Sequence, residues 1–131
     1  MASITREIHL HHPADHVWDA VRDVGAVHDR LARGFVTGTT VEPGCRTVTF
    51  VNGAVARELI VGVDDERRRL AYAVVEGLGA AHHQASFEVV DERDGTSRLV
   101  WITDVLPDEL APILEGMVEL GTEAITRTFM E

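Results

Sequence analysis

Cysteine is almost absent from this sequence, and the signature motifs of several enzyme classes are missing. The chain of 131 residues has one cysteine, Cys45, so no intrachain disulfide or cysteine metal cluster can form within one chain. Free cysteines of this kind are usually buried. The sequence contains no GxSxG, GxxxxGK or GxGxxG stretch, which removes support for serine hydrolases, nucleotide hydrolases and dinucleotide-dependent enzymes. We therefore predict no cofactor.

Positive charge and long apolar runs are also scarce. Lysine and arginine number 12 against 22 acidic residues, which gives a net charge of -10. Such a chain is repelled by nucleic-acid backbones and anionic membranes. No apolar run approaches the roughly 20 residues of a membrane helix, and the first residues lack the layout of a signal peptide. We predict a cytoplasmic protein that binds neither nucleic acid nor membrane.

The last stretch, residues 107–131, predicts one long amphipathic helix. Apolar residues recur at steps of three and four on one face, and acidic residues occupy the opposite face. Pro107 suits a first helical turn. Gly116 and Gly121 weaken the helix by roughly 1 kcal/mol each relative to Ala, so we expect close approach, or room for something else, beneath them. The apolar face contains Leu110, Leu114, Met117, Gly121, Ile125 and Thr128.

The chain before this helix begins with one strand and two short helices, and continues as a run of hairpins. Residues 3–11 alternate between apolar and polar, as half-buried strands do. Pro13 opens a short helix that ends at Gly25, and a second at residues 26–33 is stopped by Gly34. β-Branched residues and turn signals predict the remaining strands. These lie at residues 35–41, 46–51, 55–63, 70–76, 82–91 and 97–106.

This order of elements predicts the fold class. A run of hairpins makes one antiparallel sheet whose apolar face must be covered, and only the last helix is long enough to cover it. A hydrophobic content of 45% is enough for one core. We predict a single α+β domain at residues 1–131, with a curved antiparallel sheet of about seven strands gripping a long C-terminal helix, and two short helices after the first strand.

Three stretches resemble the START-like, helix-grip superfamily (SRPBCC), in particular its polyketide cyclase/dehydratase branch. They read PADHVWDAVRDV after the first strand, DDERRRLAYAVVEG in the middle, and HHQASFEVVDERDGTSRLVWITDVLP before the closing helix. The resemblance covers essentially the whole chain, through distributed patterns rather than a catalytic signature. It implies a deep cavity between sheet and C-terminal helix, often used for apolar or aromatic small molecules. The superfamily mixes cyclases, dehydratases, carriers and sensors, so the resemblance implies a small hydrophobic partner without choosing a reaction.

Polar side chains are predicted to meet on the cavity face of the sheet. His83 offers a base near neutral pH, Tyr72 a phenol that can donate to a carbonyl, and Glu76 a carboxylate whose pKa burial would raise. Such sparse polar groups are typical of an otherwise apolar pocket. The predicted catalytic residues are His83, Tyr72 and Glu76, and the predicted ligand-binding residues are Trp101, Phe87, Glu58, Thr103, Leu114, Met117 and Gly121.

Other interpretations of these residues stay open. His83 could lie at the open end of its strand and Glu76 in solvent, because glutamate is mostly exposed. Trp101 and Phe87 could serve the core as well as a ligand wall. The orientation of Glu58 is ambiguous, because the family resemblance suggests that it faces the cavity whereas the apolar alternation in its strand places it outside. That alternation is formed by Leu59, Val61 and Val63.

Histidines near both ends of the predicted sheet raise the question of a metal site, since imidazole is the commonest zinc ligand. No HExxH helix and no fixed carboxylate spacing accompanies them. We therefore predict no metal. The histidines concerned are His9, His11, His12, His82 and His83.

Three classes of function stay open at this point. The protein could be a cyclase/dehydratase-type lyase acting by acid/base catalysis, a non-catalytic carrier or sensor of an apolar ligand, or a surface interaction module with a filled core. An aromatic content of 5% does not choose between a hollow and a packed interior. Val100 and Ile102, on the outer face of the last strand, are consistent with a homodimer.

Overall fold

The computed structural model describes residues 1–77 and 79–130. Leu78, in the predicted connection at residues 77–81, and Glu131, at the end of the predicted last helix, lie outside the described residues. The order of elements confirms the predicted α+β fold. The strands are β1 (Ala2–Leu10), β2 (Val36–Glu42), β3 (Cys45–Phe50), β4 (Val55–Asp64), β5 (Arg69–Glu76), β6 (His82–Asp91) and β7 (Ser97–Leu106).

All seven strands form one antiparallel sheet in the order β1-β7-β6-β5-β4-β3-β2. Strands β2 to β7 follow one another as hairpins, and β1 returns beside β7, where Ile4 pairs with Thr103. The alternation of β1 buries Ile4, Ile8 and Leu10 on the inner face, as predicted. This inner face is the one that packs against the helices.

Two helical segments connect β1 to β2. The first, α1 (Ala14–Val21), has Pro13 as its N-cap and ends before Gly25, which was predicted to end it. The second is a π-helical turn at Val27–Leu31, shorter than predicted. The segment ends at its C-cap, Ala32, before Gly34, which was predicted to stop it. Gly34, with φ of +86°, takes the left-handed conformation in which glycine is favoured, in the turn that leads to β2.

The C-terminal helix, α2 (Ala111–Met130), packs across the sheet and begins later than predicted. A 3-10 turn at Asp108–Leu110 comes between Pro107 and the helix. Pro112 lies in the first turn of α2, where a missing amide removes no helical hydrogen bond. The buried residues of α2 are Leu114, Val118, Gly121, Ala124, Ile125, Thr128 and Phe129.

The hydrophobic core is divided into two clusters. The larger one joins the sheet to α1, the π-helical turn and the second half of α2. The smaller one contains Ile4, Val105, Leu114 and Val118, near the beginning of α2. Trp101 packs against both clusters. Helix α2 therefore packs on the sheet along most of its length.

Candidate functional site

A cavity lies between the inner face of the sheet and α2. Its volume is about 80 Å³, which is smaller than the roughly 300–1,000 Å³ of typical small-molecule sites. Its wall is mostly apolar and combines residues of β2 to β7, the π-helical turn and α2. The polar side chains in this wall, besides the indole of Trp101, are Arg46, Glu58, Tyr72, His83 and Thr103.

The structure brings together all the predicted site residues except Glu76. Glu76 is exposed at the end of β5 and lines a separate recess, which it shares with His83. Although Tyr72 and Val74 continue the inward alternation, the strand ends at Glu76, and its carboxylate can reach water there. The predicted convergence of Glu76 with His83 and Tyr72 inside one volume is therefore not found.

Glu58 lies inside the cavity wall, paired with Arg46. The two residues are direct neighbours on β4 and β3, and Arg46 Nε donates to Glu58 Oε1 at 2.7 Å. Only 3% of Arg46 and 6% of Glu58 is exposed. The interpretation that placed Glu58 outside on the basis of apolar alternation is wrong, because Leu59 itself is exposed while a charge partner makes burial of Glu58 tolerable.

Arg46 is the functional candidate that sequence reasoning missed. Its Nη1 donates to the carbonyl oxygen of Val24 at 3.5 Å, and its guanidinium carbon stands 5.0 Å from the centroid of the Tyr72 ring. This cation–π geometry fixes the plane of the guanidinium group. A sequence signal did exist, since Arg46 and Glu58 are spaced equally on either side of Asn52, in the turn between β3 and β4. A hairpin centred there makes them cross-strand partners.

Burial shifts the protonation of the acidic groups in this wall. It raises the pKa of the Glu58 carboxyl, and the adjacent Arg46 offsets only part of that effect. Burial also raises the pKa of Tyr72, with a further contribution from Glu58. Trp101 Nε1 donates to the Tyr72 hydroxyl oxygen at 3.3 Å. Tyr72 is therefore a neutral phenol whose own hydrogen remains available as a donor.

His83 is buried with one ring nitrogen unused. A hydrogen bond of 3.1 Å joins its Nε2 to Thr103 Oγ1. Its Nδ1 is buried and has no hydrogen-bond partner among the residues that the structure describes, although only 8% of the residue is exposed. Burial lowers the pKa of His83, and His82 beside it lowers it further. The imidazole is therefore favoured in its neutral form, in a residue that lines the cavity wall.

Aromatic rings form the floor of the cavity across three adjacent strands. The rings of Tyr72 and Phe87 stack with centroids 6.1 Å apart, and those of Phe87 and Trp101 stack at 5.0 Å. Gly121 of α2 lies directly over Trp101, because an added Cβ would meet Trp101 Cη2 at 2.8 Å. Of the two predicted uses of the helix glycines, close approach is the one found at Gly121.

Over residues 1–77 and 79–130, no three His, Cys, Asp or Glu side chains are grouped so that they could hold a metal ion. None of the helices in that part of the chain combines the length and the apolarity that crossing a membrane requires.

The fold and the cavity together define a START-like, helix-grip protein, in which a curved antiparallel sheet grips a long C-terminal helix. In sequence, residues 1–131 match the family described as polyketide cyclase / dehydrase and lipid transport. The chain therefore belongs to that family, which confirms the resemblance noted in the sequence. No curated protein matches the chain in sequence.

Solved structures agree on the fold. XoxI from Bacillus cereus superposes with a TM-score of 0.88 at 16% identity, over 100% of this chain and 97% of that one. A START superfamily protein from Mycobacterium smegmatis gives 0.79 at 12% identity, over 98% and 97%. Norcoclaurine synthase from Thalictrum flavum, in complex with dopamine and hydroxybenzaldehyde, gives 0.69 at 21% identity, over 96% and 84%. At these identities the likeness shows the fold alone.

Proposed function

We propose that this protein binds a small hydrophobic or aromatic molecule in the cavity between the sheet and α2. The observation that carries the proposal is an apolar wall interrupted by a few polar groups, with the stacked rings of Tyr72, Phe87 and Trp101 as its floor. The family description, which names polyketide cyclases and lipid transport, supports it. So does the presence of two small aromatic molecules in norcoclaurine synthase, which has the same fold.

A first experiment is native mass spectrometry of freshly purified protein, followed by thermal-shift screening with flat aromatic and fatty-acyl compounds. A ligand that prefers the folded state raises its stability, so we expect a bound mass or a rise of several degrees in Tm. Met117→Trp, at a partly exposed position of the cavity wall, should abolish the shift. Glu115→Trp, on the exposed face of the same helix, is the matched control and should keep it.

The contrary result is equally informative. If no compound shifts the Tm and no bound mass is found, the result favours an interior filled by side chains. The search for the function then moves to the surface, as for an interaction module.

Catalysis is the second candidate, supported by the unused Nδ1 of His83 and the free hydroxyl hydrogen of Tyr72. His83 would accept a proton from a bound substrate, while Tyr72 would donate to a carbonyl oxygen and so promote enolisation or loss of water without a cofactor. Glu76 lies outside the cavity, so this proposal does not need it. The rival is a carrier or sensor, which predicts saturable binding without turnover.

His83→Ala separates catalysis from carriage once a substrate is identified. Lost turnover with retained binding supports His83 as the base. Unchanged turnover contradicts that role, and the absence of any turnover in the wild type leaves carriage as the function.

A further inference from the structure

The ion pair in the cavity wall leaves part of each partner unused. Glu58 contacts Arg46 through one oxygen and one nitrogen, Oε1 and Nε. Apart from the long Nη1 contact to Val24, no hydrogen bond to a described residue involves the Nη1 and Nη2 edge of Arg46, and none involves Glu58 Oε2. Both side chains line the cavity. Each terminal nitrogen carries two N–H groups, so Nη1 keeps one besides its long contact to Val24, and the Nη1 and Nη2 edge still presents parallel N–H donors beside an apolar space.

The geometry of that edge selects the chemistry of its partner. Two parallel N–H groups match the two oxygens of a carboxylate, and hydrogen bonds between such charged groups are about twice as strong as those between neutral groups. Tyr72, against which the guanidinium packs, keeps this edge in a fixed orientation. A carbonyl oxygen of a ketone or an ester would leave one of the two donors unmatched.

Charge balance adds a second condition. Arg46 and Glu58 together are neutral, so an incoming anion would leave the apolar wall with one uncompensated negative charge, which is costly at low dielectric. Glu58 can remove this excess by taking a proton on Oε2, because Oε1 can still accept the bond from Nε. The proton comes from solvent, and the Glu58 carboxyl becomes neutral.

We propose that the cavity selects an apolar molecule carrying one carboxylate, whose oxygens bind the free edge of Arg46 while Glu58 takes up one proton. This inference rests on the proposed function and specifies its ligand class. Burial already biases Glu58 toward the protonated form, which lowers the cost of the exchange.

The other groups that face Glu58 do not replace it in this exchange. Strand β5 contributes Tyr72, which is already protonated, and β6 contributes His83. The residues of the π-helical turn and of α2 that line the cavity are uncharged. His83 is therefore the one other group in the described wall that could take up the proton, and its substitution is part of the test.

The test compares acids with their methyl esters. Isothermal titration calorimetry uses decanoic acid and methyl decanoate, and 2-naphthoic acid and methyl 2-naphthoate, at pH 6 to 8 in phosphate and in Tris. The expected result is binding of the acid at least about tenfold tighter than that of its ester. Buffers with different ionisation enthalpies should report uptake of about one proton per acid bound, and the association constant should fall about tenfold per pH unit where free Glu58 is ionised.

Variants test separately whether Arg46 binds the carboxylate and whether Glu58 takes up the proton. Glu58→Gln should bind the acid at least as tightly as the wild type, with no proton uptake and no pH dependence, whereas His83→Gln should keep the uptake. Arg46→Gln should lose the preference for the acid. Because that variant leaves Glu58 unpaired and could fail to fold, the double variant Arg46→Met/Glu58→Met provides the same test. Arg69→Gln, an exposed position on β5 with the same change in charge, should bind like the wild type.

The outcomes separate the inference from the proposed function. Equal binding of acid and ester, or acid binding without proton uptake in the wild type, overturns the inference and leaves the cavity as a binding site for neutral apolar molecules. Binding of none of the four compounds contradicts the proposed function, and the inference with it.

Discussion

At the residue scale, His83 makes the stability of the folded protein depend on pH. Its pKa in the folded protein lies below the ordinary value of 6.5, mainly because burial disfavours the charged ring. Between the lowered pKa and 6.5 the unfolded chain therefore binds more protons than the folded one, so the free energy of unfolding rises with pH in this window. The contribution of the neutral His83 ring to the free energy of unfolding is complete above pH 6.5. It is lost as the pH falls through the pKa that His83 has in the folded protein.

We predict that His83→Gln removes this pH dependence. The free energy of unfolding of the wild type minus that of the variant should increase from pH 5 to pH 6.5 and stay level above it, measured by urea denaturation at each pH. Thr103→Val removes the hydrogen bond but keeps a buried imidazole, so it should retain the pH dependence. A difference that does not vary with pH would contradict the assignment.

The Arg46–Glu58 pair gives a second prediction at this scale. Removing one partner of a buried ion pair leaves the other charge buried without a partner and typically costs about 3–5 kcal/mol of stability, whereas replacing both partners with apolar residues is often neutral or stabilising. Arg46→Met alone should therefore lower the free energy of unfolding by about that amount. The double variant Arg46→Met/Glu58→Met should recover most of the loss in denaturant titrations.

A solvent-exposed pair provides the control. Arg22 donates to Asp65 at 2.8 Å, but both side chains are largely exposed, and pairs of this kind contribute little. Arg22→Met should therefore cost much less than Arg46→Met. If the two single variants are equally stable, burial does not make the Arg46–Glu58 pair more costly to break than an exposed pair.

Sequence reasoning at this scale succeeded where alternation was regular. In the strands carrying His83, Tyr72, Trp101 and Thr103, the larger side chains indicated the inner face, and all four residues line the cavity as expected. It failed in β4, because exposed apolar residues on the outer face look like core residues, and the register shifts there between Ile60 and Gly62. Burial of a charged residue depends on its partner across the hairpin, which local periodicity does not record.

At the scale of elements, α2 contains two glycines with opposite environments. A Cβ at Gly121 would lie 2.8 Å from Trp101 Cη2 and 3.3 Å from Phe35 Cε2, whereas a Cβ at Gly116 would have nothing within 4 Å. Both positions are inside the helix. Alanine is favoured over glycine there by about 1 kcal/mol, so packing decides the difference between the two sites.

We predict that Gly116→Ala raises the free energy of unfolding by up to about 1 kcal/mol. Gly121→Ala should lower it by about 1–3 kcal/mol, since Trp101 must move to admit the methyl group. Thermal and denaturant unfolding of the matched pair checks both signs. Equal stabilisation by the two substitutions would mean that α2 moves away from Trp101 at little cost.

The bounds of the elements were harder to predict than their order. The sequence pattern places Pro107 and Pro112 near one helix start, but does not say that a 3-10 turn separates Pro107 from α2. It likewise extends the second short segment beyond its π-helical turn at Val27–Leu31. Helix ends depend on caps and on packing against the sheet, so single-chain periodicity locates them only within a few residues.

At the scale of the whole molecule, the order of hairpins and the closing helix predicted the architecture, because the apolar face of one sheet had to be buried by one long helix. The pattern could not predict the volume of the cavity between that helix and the sheet. The cavity depends on where large and small side chains meet across the interface, as Gly121 and Trp101 do. Hollow and filled cores require the same alternation of apolar residues.

The outer face of the sheet is the remaining feature at this scale. Leu59, Val75 and Ile102 are 41%, 47% and 37% exposed. Between them on the same face lie Ala73 and the buried residues Ala71 and Ser86. Exposed apolar residues on one face of a sheet are often a site of association between copies, and two-fold self-association is the commonest form.

We predict a homodimer formed through this outer face. Light scattering should give twice the mass of one chain for the wild type, and a single-chain mass for Ile102→Asp, because a buried unpaired carboxylate at the centre of an apolar interface is costly. Ile113→Asp introduces the same charge at an exposed apolar position of α2 and should stay dimeric. A monomeric wild type would rule the interface out, and the outer strands would then be a solvated surface. If instead both variants dissociate, the contact extends beyond the outer face of the sheet to the exposed face of α2.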